Sequence, residues 1–136
     1  MNPDEIAAWE PFLKRVPLFA GLSTGEISRV AARIAPLSLS KGSTLYLQGD
    51  EGDSLYIIAS GQVRILQTQR GVETMIAIAG RGETLGEIGL LTGEPRSATV
   101  RLDTTCEFLK LMRRDFEGVL RENPSILMHL SRMLSH

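Results

Sequence analysis

Residues 85–100 read Leu-Gly-Glu-Ile-Gly-Leu-Leu-Thr-Gly-Glu-Pro-Arg-Ser-Ala-Thr-Val, and this stretch decides the fold. It sets the carboxylate of Glu87 and the guanidinium of Arg96 on either side of a glycine-rich turn between two apolar strands. Gly86 and Gly89 let backbone come close to a bound group, and Gly93-Glu94-Pro95 turns the chain so that Arg96 faces Glu87 across one pocket. Glu87 to Leu91, good helix formers after flexible glycine, form a short turn with amides free to point at an anion. The inventory suits a sugar phosphate.

The residue types fit that ligand one by one. Arg meets a phosphate with parallel, charge-assisted hydrogen bonds, so Arg96 is the natural candidate for the phosphate, and the Ser97 hydroxyl can add a further bond. A ribose 2′-hydroxyl is a donor and needs an acceptor-only partner, which an ionised Glu87 supplies. The segment closely resembles the phosphate-binding cassette of the cyclic nucleotide-binding domain family, whose core runs Gly-Glu, an aliphatic, a small residue, a loop, then Arg, a small residue and Ala. The match falls on Gly86, Glu87, Ile88, Gly89, Arg96, Ser97 and Ala98. Val16 to Leu22 resembles the Pro-Leu-Phe turn that opens the family, and Gly42, Gly49, Gly61 and Gly71 sit where its turn glycines fall. The resemblance thus covers residues 15 to 134.

It implies a mainly β domain: an antiparallel jelly roll, or double-stranded β-helix, with N-terminal helices and C-terminal lid helices. The expected division is helices over 1–35, β-roll over 36–112 with the cassette at 85–98, and helices over 113–136. It also implies a regulatory sensor whose ligand is cAMP, with cGMP as the alternative. In the family, Thr directly after the Arg often accompanies cGMP; Ser97 is compatible with either nucleotide and leans to cAMP. For the purine, Val63, Ile65, Ile76 and Ile78, with Thr84 and Leu85 before the cassette, are candidates for one apolar wall.

The rest of the chain is consistent with one small domain. At 136 residues it can bury a single core without disulfide or metal. Its net charge of −1 gives no bulk attraction to nucleic acid or anionic membrane, and no nucleic-acid contact is expected. The single cysteine, Cys106, lies in an apolar run and reads as core, a usage that fits a cytoplasmic compartment. No long apolar run and no signal pattern occurs, so membrane attachment would belong to a parent protein. The acidic loop Gln48 to Asp53 lacks the spacing of a calcium loop and reads as a solvated turn. With only His129 and His136, both in the last helix, no metal site, Ser-His-Asp set or Cys-His pair can be assembled, and no enzyme is expected.

Ten of the 13 glycines lie between Gly42 and Gly93, which marks a β middle and helical ends. Asn2-Pro3 starts a helix that Pro11 is expected to kink or restart. Ser23 and Glu26 have capping-box spacing for the next helix, with Ile27, Val30, Ala31 and Ile34 as its apolar stripe. About eight strands follow between Leu37 and Met112. Arg114 to Glu122 then forms a helix, and Asn123-Pro124 opens the last one. That helix is expected to close on the purine and is the element through which a homodimer would form; in the alternative below, its seam Ile126-Leu130-Met133 makes the dimer. The effector is expected outside this chain or on another one. The alternative is a degenerate jelly roll without nucleotide binding that acts as a dimerisation or interaction module.

Overall fold

The structure is a computed structural model that describes residues 1–134, the side chains of Ile88, Leu91, Leu130, Met133 and Leu134 excepted. Helix α1 (Pro3–Arg15), a 3-10 turn (Pro17–Phe19) and α2 (Thr24–Ala31) precede the strands β1 (Ala35–Leu39), β2 (Thr44–Tyr46), β3 (Ser54–Ser60), β4 (Val63–Gln69), β5 (Val72–Ala79) and β6 (Thr84–Leu85). Helix α3 (Glu87–Thr92) interrupts them before β7 (Thr99–Leu102) and β8 (Cys106–Met112), and α4 (Arg113–Glu122) and α5 (Pro124–Leu134) follow. The strands pair antiparallel in two four-stranded sheets, β1-β8-β3-β6 and β2-β7-β4-β5, the layered jelly roll with flanking helices that the resemblance implied.

β3 explains how one strand serves two cores. Its residues 54–59 are all buried, as expected for a strand covered on both faces. Tyr56 and Ile58 face the second sheet with Val63, Val100, Leu102, Cys106 and Phe108. Leu55, Ile57 and Ala59 face the other way, into a cluster with Leu13, Phe19, Ile27, Val30, Phe116, Val119 and Ile126 from the helices. The helices therefore pack on the outer face of one sheet, and the second sheet packs on its inner face.

Local signals act where expected, with exceptions. The Asn2 side chain accepts from the Glu5 amide at 2.9 Å. The capping box of α2 closes with Ser23 N–H on Glu26 at 2.8 Å and Glu26 N–H on Ser23 at 3.2 Å. The expected restart at Pro11 does not occur: α1 runs through it as one helix. Proline removes the bond to the Ala7 carbonyl, but both residues are exposed, so water can satisfy that oxygen. Asn123 is engaged at the α4–α5 corner, its Oδ1 accepting from Arg29 at 2.6 Å. The seam expected on α5 is corrected at Ile126, which is 1% exposed and packs into the core of its own domain. Leu130 and Met133 of that seam have side chains outside the described residues. Among the described residues no helix is long and apolar enough to cross a membrane.

Candidate ligand-binding site

Arg96 is the centre of a cleft whose seat is built from backbone. Its amide donates to the Asp50 carbonyl and its carbonyl accepts from the Gly49 amide, both at 2.8 Å, so the acidic loop before β3 straps the residue in place. Gly52 lies under the guanidinium, where a Cβ would sit 3.3 Å from Cζ and Nε. The side chain is only 6% exposed, with Nη2 donating to the Ser54 carbonyl at 2.8 Å and more weakly to Ser54 Oγ at 3.4 Å. Nε and Nη1 are buried with no protein acceptor. An Arg cannot shed its charge, and a buried unsatisfied donor costs about 1–3 kcal/mol, so these two donors are left able to take an acceptor.

The opposite wall is the start of α3. Gly86 occupies the left-handed region at φ +84°, and a Cβ there would collide with Arg96 Nη1. Glycine is thus required twice over, by backbone and by contact. α3 ends at Gly93, also left-handed at φ +74°, whose amide closes the turn on the Gly89 carbonyl at 2.9 Å. Glu87, at the first position of α3, lines the cleft half-buried and accepts from the Thr84 hydroxyl. Burial pushes its carboxyl above the usual range, outweighing the bonds from its own amide and from Thr84. Among the described residues neither Glu87 nor Arg96 is in an ion pair, so the two opposite charges share the cleft without joining.

Most sequence-predicted site residues come together here. Thr84, Leu85, Gly86, Glu87, Gly89, Arg96, Ser97 and Ala98 line one cleft. The Ile88 side chain lies outside the described residues. Val63 is displaced from the expectation: it is fully buried between the sheets, paired with Ala79 and Leu102, and does not line the cleft. Of the four wall candidates on β4 and β5 only Ile65 reaches it, beside Thr84 and Leu85; Ile76 and Ile78 are about half exposed on β5, at 53% and 52%. Sequence reasoning missed Ser54, whose carbonyl anchors Arg96, and Tyr46, whose ring centroid lies 4.2 Å from Arg96 Cζ. Burial pushes the Tyr46 phenol up to about 12, with the Glu87 charge adding and Arg96 opposing.

The cleft thus sets a guanidinium with two open donors, a half-buried carboxylate and a glycine-opened helical turn around one space. The profile of the cyclic nucleotide-binding domain matches residues 36–123. The chain belongs to this family. As a cyclic nucleotide-binding domain it is 34% identical over 124 residues to the cyclic AMP receptor protein of Thermus thermophilus, covering 90% of this chain and 57% of that protein. The regulatory domain of Toxoplasma gondii PKA, solved with cAMP, matches with a TM-score of 0.86 at 25% identity, covering 97% of this chain and 50% of that one. The regulatory subunit of a cAMP-independent protein kinase A from Trypanosoma brucei matches with a TM-score of 0.82 at 28% identity, covering 95% and 48%. This cyclic nucleotide-binding domain therefore spans about half the length of these relatives. Because one is named for cAMP and another for independence from it, the side chains of the cleft must argue for the ligand.

Proposed function

We propose that this domain is a regulatory sensor that binds a 3′,5′-cyclic nucleotide, cAMP in the first place, in the cleft between α3, Arg96 and Tyr46. The observation that carries the reading is Arg96, buried at 6% exposure with Nε and Nη1 uncommitted. A cyclic phosphate brings one negative charge on two exocyclic oxygens and satisfies both donors at once. Glu87 accepts the ribose 2′-hydroxyl, and Gly86 and Gly89 allow the sugar phosphate to lie against backbone. The base extends along Ile65, where an apolar wall favours a purine without reading its edge. Ser97, rather than Thr, follows the Arg, which favours cAMP over cGMP.

Coupling to an output follows from shared packing. Leu90 of α3 lies in the same core cluster as Phe116 and Val119 of α4 and Ile126 of α5. The Arg113 amide at the start of α4 donates to the Asp53 carbonyl at 2.7 Å, beside the Ser54 that holds Arg96. A ligand that draws α3 toward the phosphate repacks that cluster and shifts α5, which in this reading closes on the purine. The shift is limited to the ligand's differential affinity for the two arrangements. The effector that reads α5 is a further segment or another chain. Titration calorimetry with cAMP and cGMP tests binding, and hydrogen exchange over 124–134 with and without saturating nucleotide tests coupling. Exchange that nucleotide leaves unchanged contradicts the coupling.

A further inference from the structure

A buried guanidinium is ordinarily held by a carboxylate. Arg96 is held otherwise. Its Cζ lies 4.2 Å from the centroid of the Tyr46 ring and 5.8 Å from that of Tyr56, both inside the range of cation–π attraction. Tyr46 is itself braced: its ring lies 6.1 Å from Tyr56 at a tilt of 33°, and Tyr56 meets Phe108 edge-to-face at 6.1 Å and 73°. Phe108 is fully buried between the sheets. A column of three rings thus runs from the core to the guanidinium.

The backbone aims Tyr46 for this position. β2 is only three residues long, and its pairing with β7 shifts register between Thr44 and Tyr46. Such an irregularity re-aims a side chain, and here the ring becomes part of the cleft lining. Attraction through a ring face uses none of the in-plane N–H donors of Arg, whereas a carboxylate occupies two of them and must be displaced by an incoming anion.

We propose that Tyr46 is a positioning residue of the anion site, its ring holding the Arg96 guanidinium in place without neutralising it, with Nε and Nη1 left open for a phosphodiester monoanion. This rests on the cyclic nucleotide reading given above. The phenol, pushed up to about 12 by burial, carries no charge at neutral pH and so does not neutralise Arg96. Aromaticity at this position is what the role requires; the hydroxyl is not.

The test joins a signal from the nucleotide-free domain to an affinity. In proton–nitrogen spectra of the whole chain without nucleotide, the Arg96 Nε–H, identified by its loss in Arg96→Lys, is expected upfield of the other arginines through the ring current. Tyr46→Phe retains that shift and binds cAMP within twofold of the parent. Tyr46→Leu removes most of the shift and weakens cAMP by roughly thirtyfold, the scale of a desolvated cation–π contact. An unshifted Arg96 signal in the parent, or a Tyr46→Leu affinity within twofold of it, overturns the proposal. The parent spectrum needs no aromatic-to-aliphatic variant, so a Tyr46→Leu chain that fails to fold leaves the test intact. A shifted Arg96 signal in a domain that binds neither cAMP nor cGMP overturns the nucleotide reading and upholds the ring as the seat of Arg96.

Discussion

Arg96→Ala separates a structural arginine from one held for a ligand. On the stability side, the substitution removes the strong bond to the Ser54 carbonyl at 2.8 Å, about 1.5–3 kcal/mol for a charged donor. It also removes the attraction to Tyr46, about 2 kcal/mol for a desolvated pair. Against these losses it relieves two buried donors without acceptors, at about 1–3 kcal/mol each. The two sides offset to within a few kcal/mol, so the nucleotide-free domain is expected to lose about 0–2 kcal/mol, read from urea unfolding. Binding has no such offset. Removing one partner of a buried charge pair leaves the phosphate unpaired and costs about 2–5 kcal/mol, which is about 30-fold to several thousand-fold in Kd. Calorimetric titration of variant and parent with cAMP, at equal pH and salt, reads that difference. An Arg96→Ala chain that binds within threefold of the parent, or that loses several kcal/mol of stability while keeping affinity, refutes the assignment of Arg96 to the phosphate.

Three further outcomes follow from the same geometry. Glu87→Gln is expected to weaken cAMP less than Arg96→Ala does and to blur discrimination against the 2′-deoxy analogue, checked by competition between the two. Because burial raises the Glu87 carboxyl, its folded form holds a proton more tightly than its unfolded form. The contribution to stability is then present below the ordinary value of 4.5 and lost as pH rises through the raised one, so Glu87→Gln stabilises the nucleotide-free domain at neutral pH and flattens that part of the pH profile. Affinity runs the other way, falling as pH drops through the raised value and the acceptor of the 2′-hydroxyl becomes protonated. Gly86→Ala is expected to lower the melting temperature, the left-handed backbone alone costing about 1–2 kcal/mol, and to abolish measurable cAMP binding because the new Cβ meets Arg96 Nη1. Gly21→Ala would place a Cβ 2.6 Å from the His129 ring, so it is expected to loosen α5 and speed exchange of its amides without touching the cleft.

The sequence made some of this legible and hid the rest for identifiable reasons. The cassette was readable because its chemistry is local: Gly86, Glu87, Arg96 and Ser97 lie within twelve positions, and the turn between them needs only glycine and proline to be recognised. β3 was readable as a strand, but the chain length suggested a single core, whereas its unbroken apolar run divides between two clusters, one on each face. Val63 and Ile65 share parity on β4, so alternation gave no means of telling the deep residue from the cleft residue. Sheet closure decides it, pairing Val63 with Leu102 and Ile65 with Val100 nearer the cassette. Tyr46 was hidden because its aim depends on a register shift in a three-residue strand, which leaves no periodic trace. Ile126 shows the ambiguity of an amphipathic helix: an apolar stripe marks a face to be covered but does not say whether the cover is the domain's own core or a partner. Pro11 does not restart the helix because a lost helical bond is costly only where water cannot replace it, and exposure is not a local property of sequence.

The most direct test of the central claim is calorimetric titration of the purified chain with cAMP and then cGMP, after confirming that no nucleotide co-purified. One site per chain is expected, micromolar or tighter for cAMP, with cGMP weaker. Absence of heat and of any thermal shift with both nucleotides contradicts it, and would leave a jelly roll that kept the cleft and serves as an interaction module.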